Sequence, residues 1–211
     1  MFVKEKVKVA VEECLKEKGE KKFSQSVDLA INFRDIDFKV TENKINVDVV
    51  LPFSPRAAKV AIFADGQLAF DAKKVADAVF GAAEIDVFTK DKKKQKELLE
   101  YSFLSSPQLM AVVGKGLGAV LGSKGKLPKP ILPGTNLTDL VERTKRSVSL
   151  KTKGKNLPVV HCIIGNEKMP AEQMADNVLA VIDALTKKIP EQQIKNIVLK
   201  TTMGKPVKMA G

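Results

Sequence analysis

Two stretches of the chain alternate with a period of two. Val27, Leu29, Ile31 and Phe33 are separated by Asp28, Ala30 and Asn32, and Ile45, Val47, Val49 and Leu51 by Asn46, Asp48 and Val50. Side chains on a strand point alternately to its two faces, so both stretches are expected to be half-buried strands of an antiparallel sheet covered on one side. Ahead of them Val3, Val7, Ala10, Val11, Cys14 and Leu15 recur at helical spacing, with Gly19 as a stop. The segment Leu51-Pro-Phe-Ser-Pro-Arg56 then interrupts the pattern, and its two prolines suggest a hinge.

From Val60 the pattern changes. Val60-Ala-Ile-Phe-Ala64 is a continuous apolar run closed by Asp65-Gly66, and a helical stretch is expected from Leu68 to Phe80. Short apolar runs at Ile85–Phe88 and Phe103–Leu104 read as buried strands, with a lysine-rich helical stretch between them up to Glu100. Helices are expected from near Pro107 and over Leu137–Thr144. Such alternation marks a parallel α/β unit.

From Ser147 the period-two pattern returns. Val148 and Leu150 alternate with polar neighbours, Leu157–Ile164 reads as a strand, and a helix is expected from Pro170 to Lys188. Pro170 would sit at its first position, and Met174, Val178, Val181, Ile182 and Leu185 would form its apolar face. The economical architecture is a discontinuous α+β domain of residues 1–57 and 147–211, with an antiparallel sheet and helices. A Rossmann-like α/β domain of residues 58–146 is inserted in it, and two crossings between the parts imply a hinge.

The closing segment carries the most telling chemistry. Ile197–Leu199 enters as a strand and runs into Thr201, Thr202, Met203 and Gly204, with Lys200, Lys205 and Lys208 around them. Gly204 leaves room for another backbone to come close, and Pro206 is expected to stop ladder pairing. Hydroxyls, main-chain N–H groups and lysines together could meet a sugar-phosphate backbone. An ordinary turn between edge strands is the alternative. In Lys21-Lys-Phe-Ser-Gln-Ser-Val-Asp28, Phe23 stands among Lys21, Lys22 and hydroxyls at a strand entrance. It could pack on a sugar or base, or belong to the core.

Composition narrows the partners. A net charge of +11, carried almost wholly by lysine, implies a polyanion. No apolar run approaches the roughly 20 residues that span a bilayer. Met1-Phe-Val-Lys-Glu-Lys-Val-Lys lacks the apolar stretch of a signal peptide. Cys14 and Cys162 form no CxxC pair and read as reduced, buried thiols in a cytoplasmic protein.

Catalytic and cofactor signals fail on detail. In the stretch Gly114–Pro130, Gly125-Lys126 is followed by Leu127 and has no glycine at 120, so it is not a phosphate-binding P-loop. Gly114-Lys-Gly116 continues as Leu-Gly-Ala within or after a helical stretch, which is not a dinucleotide fingerprint. A lysine-bearing loop meeting RNA backbone fits better, with a plain interdomain loop as the alternative. His161 and Cys162 would point to opposite faces of a strand and could not readily form a nucleophile pair. A single histidine leaves metal and triad chemistry short of ligands. No enzyme, cofactor or metal is expected.

Together these segments resemble the large-subunit ribosomal protein one family, proteins of the ribosome's mobile tRNA-exit stalk. The resemblance rests on Lys22-Phe23 leading into Val27–Asn32, Val49–Pro52, Val60–Ala64, Ser106–Met110, the glycine-lysine-proline stretch 114–130, His161–Gly165 and Leu199–Gly204. Gly125-Lys126 with Pro128-Lys-Pro130 is closer to the archaeal and eukaryotic branch. Ser123-Lys124 stands where the family commonly has Pro-Arg, which keeps the charge and loses a stiff turn.

The resemblance implies the discontinuous domain with its insert, binding to the stalk of large-subunit (23S) rRNA, and contact with departing exit-site tRNA. It also implies binding and repression of the protein's own mRNA, and a free form that is monomeric. The family's RNA surface falls on Phe23, Ser26, Asp28, Thr201, Thr202, Met203 and Gly204, to which the lysine pattern adds Lys22, Lys200 and Lys205. Lys115, Lys124, Lys126 and Lys129 are a second candidate contact. Asp28 would accept from ribose hydroxyls or base amino groups and not touch phosphate. A nucleotide-using enzyme and a regulatory RNA-binding protein working off the ribosome are the competing classes.

Overall fold

The computed structural model describes residues 4–17, 19, 22–38, 40, 43–132, 134–152 and 157–209, with the backbone alone at Lys92 and Lys93. Val3 and Lys21 lie outside the described residues. The chain divides into two compact units, Met1–Arg56 with Arg146–Gly211, and Ala57–Lys145.

The elements run α1 (Lys4–Lys16), β1 (Ser26–Phe33) and β2 (Asn46–Val50), then β3 (Lys59–Phe63), α2 (Gln67–Lys73), β4 (Ala78–Phe80), α3 (Ala82–Lys90) and α4 (Lys92–Leu98). They continue with β5 (Tyr101–Ser105), α5 (Pro107–Ser123), β6 (Lys129–Pro130) and α6 (Leu137–Arg146). The chain closes with β7 (Ser147–Lys151), β8 (Val159–Asn166), α7 (Ala171–Thr186), β9 (Ile194–Thr201) and β10 (Val207–Met209).

In the first unit a four-stranded antiparallel sheet has the order β10-β9-β1-β8, and β2 pairs with β7 as a separate ribbon. Alternation along β1 sends Val27, Leu29, Ile31 and Phe33 inward, where they meet Val160, Cys162 and Ile164 of β8 and Ile197 and Leu199 of β9. Val7, Val11 and Cys14 of α1 and Met174, Val178, Val181 and Leu185 of α7 complete this core. Each of these large side chains contributes about 1.5–3 kcal/mol by leaving water. Helix α7 lies so close to β8 that a β-carbon at Gly165 would stand 2.8 Å from Met174 Cγ.

The expected hinge segment is held at Phe53 within this unit. The fully buried Asn177 donates from Nδ2 to the carbonyls of Phe53 (3.1 Å) and Ile164 (2.8 Å), and its Oδ1 accepts the Phe53 N–H (3.0 Å). An amide that satisfies two backbone groups on a neighbouring segment acts as a substitute strand partner.

The second unit is a parallel sheet in the order β4-β3-β5-β6, helices covering both faces. Alternation along β3 decides the faces. Ala61 and Phe63 join Ile85, Val113 and Leu117 on one side, while Val60 and Ile62 join Ala72 and Val141 on the other. This is the α/β class the sequence implies.

Four local expectations are corrected. The stretch Leu68–Phe80 is not one helix, because α2 ends at Lys73 and Ala78–Phe80 is β4. Asp77 makes the difference: its carboxylate accepts the Val60 N–H at 2.8 Å and its own N–H donates to the Val60 carbonyl at 3.0 Å, drawing the chain alongside β3. Ile85–Phe88 is helical, since Glu84 accepts the Gly81 N–H at 2.9 Å and starts α3 there. Four apolar-rich residues cannot separate strand from helix by period alone. Pro170 is the residue before α7 and not its first. Pro206 does not end the ladder, because Val207–Met209 turns back and pairs with β9.

Candidate nucleic-acid interface

β1 and β9 are neighbours in the sheet, with Asp28 opposite Lys200 and Val27 opposite Thr201. The entrance of β1 therefore lies beside the exit of β9, and residues 22–28 meet residues 200–205 at one end of the sheet. The turn between β9 and β10 is held by hydrogen bonds to the entrance of β1 and to Thr201. Thr202 N–H donates to the Ser26 carbonyl (3.2 Å) and Met203 N–H to Gln25 Oε1 (2.9 Å). Gly204 N–H donates to Thr201 Oγ1 (3.0 Å), and Ser26 N–H donates to Thr202 Oγ1 (3.3 Å).

Around this scaffold Phe23 is 49% exposed and Met203 60% exposed. An aromatic ring and a thioether standing in water beside hydroxyls form a surface that can stack on a sugar or base edge. Lys22, Lys200 and Lys205 are also exposed, and Lys205 Nζ lies 3.5 Å from the Glu17 carboxylate. Asp28 is half-buried. Burial raises its pKa, against the pull of His161 and Lys200, which favour the charged form.

Two expected surface roles change. Thr201 is fully buried and its hydroxyl is committed to Gly204, so it supports the surface from beneath. Gly204 does permit a close backbone approach, but the backbone is the protein's own. A β-carbon there would stand 2.1 Å from Thr201 Oγ1 and 2.8 Å from the Glu17 carbonyl oxygen. Its φ is not positive, so the left-handed region plays no part.

The second candidate patch is not one loop. Lys115 lies on the exposed side of α5 and Lys124 caps that helix. Lys129 lies in β6, opposite Leu104. Lys126 is half-buried, and its ammonium donates to the carbonyls of Leu99 and Tyr101, so it is tied to the turn between α4 and β5. On β8, His161 is exposed and Cys162 buried, on opposite faces. Burial pushes the Cys162 thiol up to about 12 and also raises that of Cys14, so both remain protonated at neutral pH.

Three positions that shape this end of the sheet escaped the sequence reading. Gln25 holds Met203 from inside, and its carbonyl accepts the Glu167 N–H at 2.9 Å, which brings the β8–α7 turn to the same end. In that turn Asn166 Oδ1 accepts the Lys168 N–H at 2.9 Å and presents Lys168 to solvent. Glu17 sets the space at Gly204. The one signal for Gln25 was its place in the inward phase of β1.

No helix among the described residues is long and apolar enough to cross a membrane. The profile of the Ribosomal protein L1p/L10e family matches residues 15–205. The chain is 37% identical over 208 residues to a protein named large ribosomal subunit protein uL1 from Thermoplasma acidophilum, covering 96% of this chain and 95% of that one. It is 40% identical to the protein of that name from Thermofilum pendens, over 95% and 93% of the two chains. With the one from Pyrococcus horikoshii identity is 36%, over 100% and 98%. The chain belongs to the ribosomal protein L1p/L10e family.

Proposed function

We infer that this protein is an rRNA-binding component of the large ribosomal subunit in the cytoplasm, and that it grips the rRNA stalk beside the tRNA exit site. The observation that carries the reading is the exposed pair Phe23 and Met203 on a hydrogen-bonded scaffold. An exposed Met203 on a pinned turn and an exposed Phe23 ahead of β1, flanked by Lys22, Lys200 and Lys205, suit RNA better than they suit solvent. Residues 1–57 with 147–211 carry this surface. The family and the uL1 relatives support the ribosomal setting.

In that position the protein would meet deacylated tRNA and assist its release. The same surface would accept a stalk-like fold in the protein's own mRNA and repress translation. This reading needs no cofactor and no chemistry at the site.

Ribosome sedimentation followed by RNA crosslinking and sequencing tests it. Crosslinks from Phe23 and Met203 to the large-subunit stalk are expected. Exclusive recovery of other RNAs, with the protein absent from large subunits, would point to a regulator acting off the ribosome.

A further inference from the structure

Gln25 continues the inward phase of β1. Positions 25, 27, 29, 31 and 33 are all buried, and the other four are Val, Leu, Ile and Phe. An apolar side chain would satisfy packing at 25, and a fully buried amide is tolerated only when its polar atoms are partnered. Its Oε1 accepts the Met203 N–H at 2.9 Å. With Thr202 N–H on the Ser26 carbonyl and Gly204 N–H on Thr201 Oγ1, three consecutive N–H groups of the turn are spent inside the protein.

A backbone nest for phosphate requires the reverse, successive N–H groups aimed at the anion. The peptide bonds here are trans, and a trans peptide points each C=O away from the N–H that follows it. The carbonyls of Thr202 and Met203 are therefore directed away from Gln25 and Thr201. Asp28, on the adjoining strand, adds a carboxylate when ionised. All of these are acceptors. On a nucleic acid their complements are donors, the ribose 2′-hydroxyl and the exocyclic amino groups of bases.

We propose that Gln25 sets the polarity of this surface: by drawing the Met203 N–H inward it commits the turn to accepting hydrogen bonds, so the site selects ribose 2′-hydroxyls and thereby RNA over DNA. Gln25 is a positioning residue, since it acts through Met203. The proposal rests on the reading that this turn meets RNA.

The test uses the full chain, Gln25→Met, which keeps bulk and removes the acceptor, and Gln25→Glu, which keeps an oxygen in place. Binding is measured to a transcript of the large-subunit rRNA stalk and to versions with single 2′-deoxy substitutions, and amide exchange is followed at Met203. For the wild type, at least one deoxy substitution is expected to weaken binding about tenfold, the scale of one good hydrogen bond. Gln25→Met is expected to exchange faster at Met203, to bind about tenfold more weakly and to lose that deoxy penalty. Gln25→Glu is expected to recover most of both.

A wild type indifferent to every 2′-deoxy substitution overturns the proposal. So does a folded Gln25→Met protein with unchanged affinity and penalties. A wild type that ignores the transcript altogether, with Met203 still protected, removes the functional reading and this proposal with it.

Discussion

The carbonyl oxygen of Glu17 lies 2.8 Å from the point where a β-carbon on Gly204 would stand. The end of α1 and the turn after β9 are thus packed backbone against backbone, with no space for a side chain between them.

Gly204→Ala is therefore expected to destabilise the fold by about 1–3 kcal/mol, the usual scale of overpacking. RNA binding is expected to fall with it as Thr202 and Met203 are displaced. Gly114→Ala on α5 is the control, because nothing lies within 4 Å of its β-carbon position. Replacing that mid-helix glycine is expected to add about 0.5–1 kcal/mol of stability. Thermal melts of the two variants, read beside stalk-RNA binding, check both directions.

The neighbouring threonines are expected to respond differently to the same change. Thr201→Val removes the acceptor of the Gly204 N–H at a buried position, and a stability loss of about 1–3 kcal/mol is expected. Thr202 is exposed, so Thr202→Val is expected to cost about 0.5–1.5 kcal/mol of RNA affinity with a smaller shift in melting. Equal losses of stability in the two variants would contradict this division.

Asp28 is expected to set stability against binding. Burial raises its pKa above the unfolded value, so the folded chain holds that proton more tightly and the ionised carboxylate is a burden above the folded pKa. Asp28→Asn is expected to raise the melting temperature at neutral pH. The gain shrinks as pH falls through the folded pKa of Asp28 towards the unfolded one. If the carboxylate accepts from ribose hydroxyls, the same variant binds stalk RNA more weakly at neutral pH. Melts and binding across a pH series read both effects.

The lysines separate into two kinds. Lys22→Ala and Lys200→Ala are each expected to lower the log–log salt slope of RNA binding by about 1, as one phosphate contact is lost. Lys126→Met leaves the carbonyls of Leu99 and Tyr101 without their ammonium donor, and about 1–3 kcal/mol of stability is expected to be lost. Its salt slope is expected to stay that of the wild type.

The fold class was legible because two periods compete openly along the chain. Strict alternation at Val27–Phe33 and continuous apolar runs such as Val60–Ala64 demand differently covered sheets, and both were found. The misread elements, Ala78–Phe80 and Ile85–Phe88, are short, and each was decided by one carboxylate, Asp77 or Glu84, taking a backbone N–H. At the candidate site the residue types of the closing segment were visible, but their roles were not. The buried position of Thr201, the grip of Gln25 on Met203 and the approach of Glu17 to Gly204 all arise from pairings across more than 170 residues of sequence. Beyond the inward phase of Gln25, spacing along the chain holds no trace of them.

The register of β1 against β9 also fixes a time. Ser26 and Asp28 emerge early in synthesis, yet the partners that make them a surface arrive only with Lys200–Gly204, after the whole of the inserted unit. Loop closure of that length must precede any reward from the pairing. A growing chain therefore lacks this pairing, and the close approach of Gln25 to Met203 that goes with it, until β9 has been released.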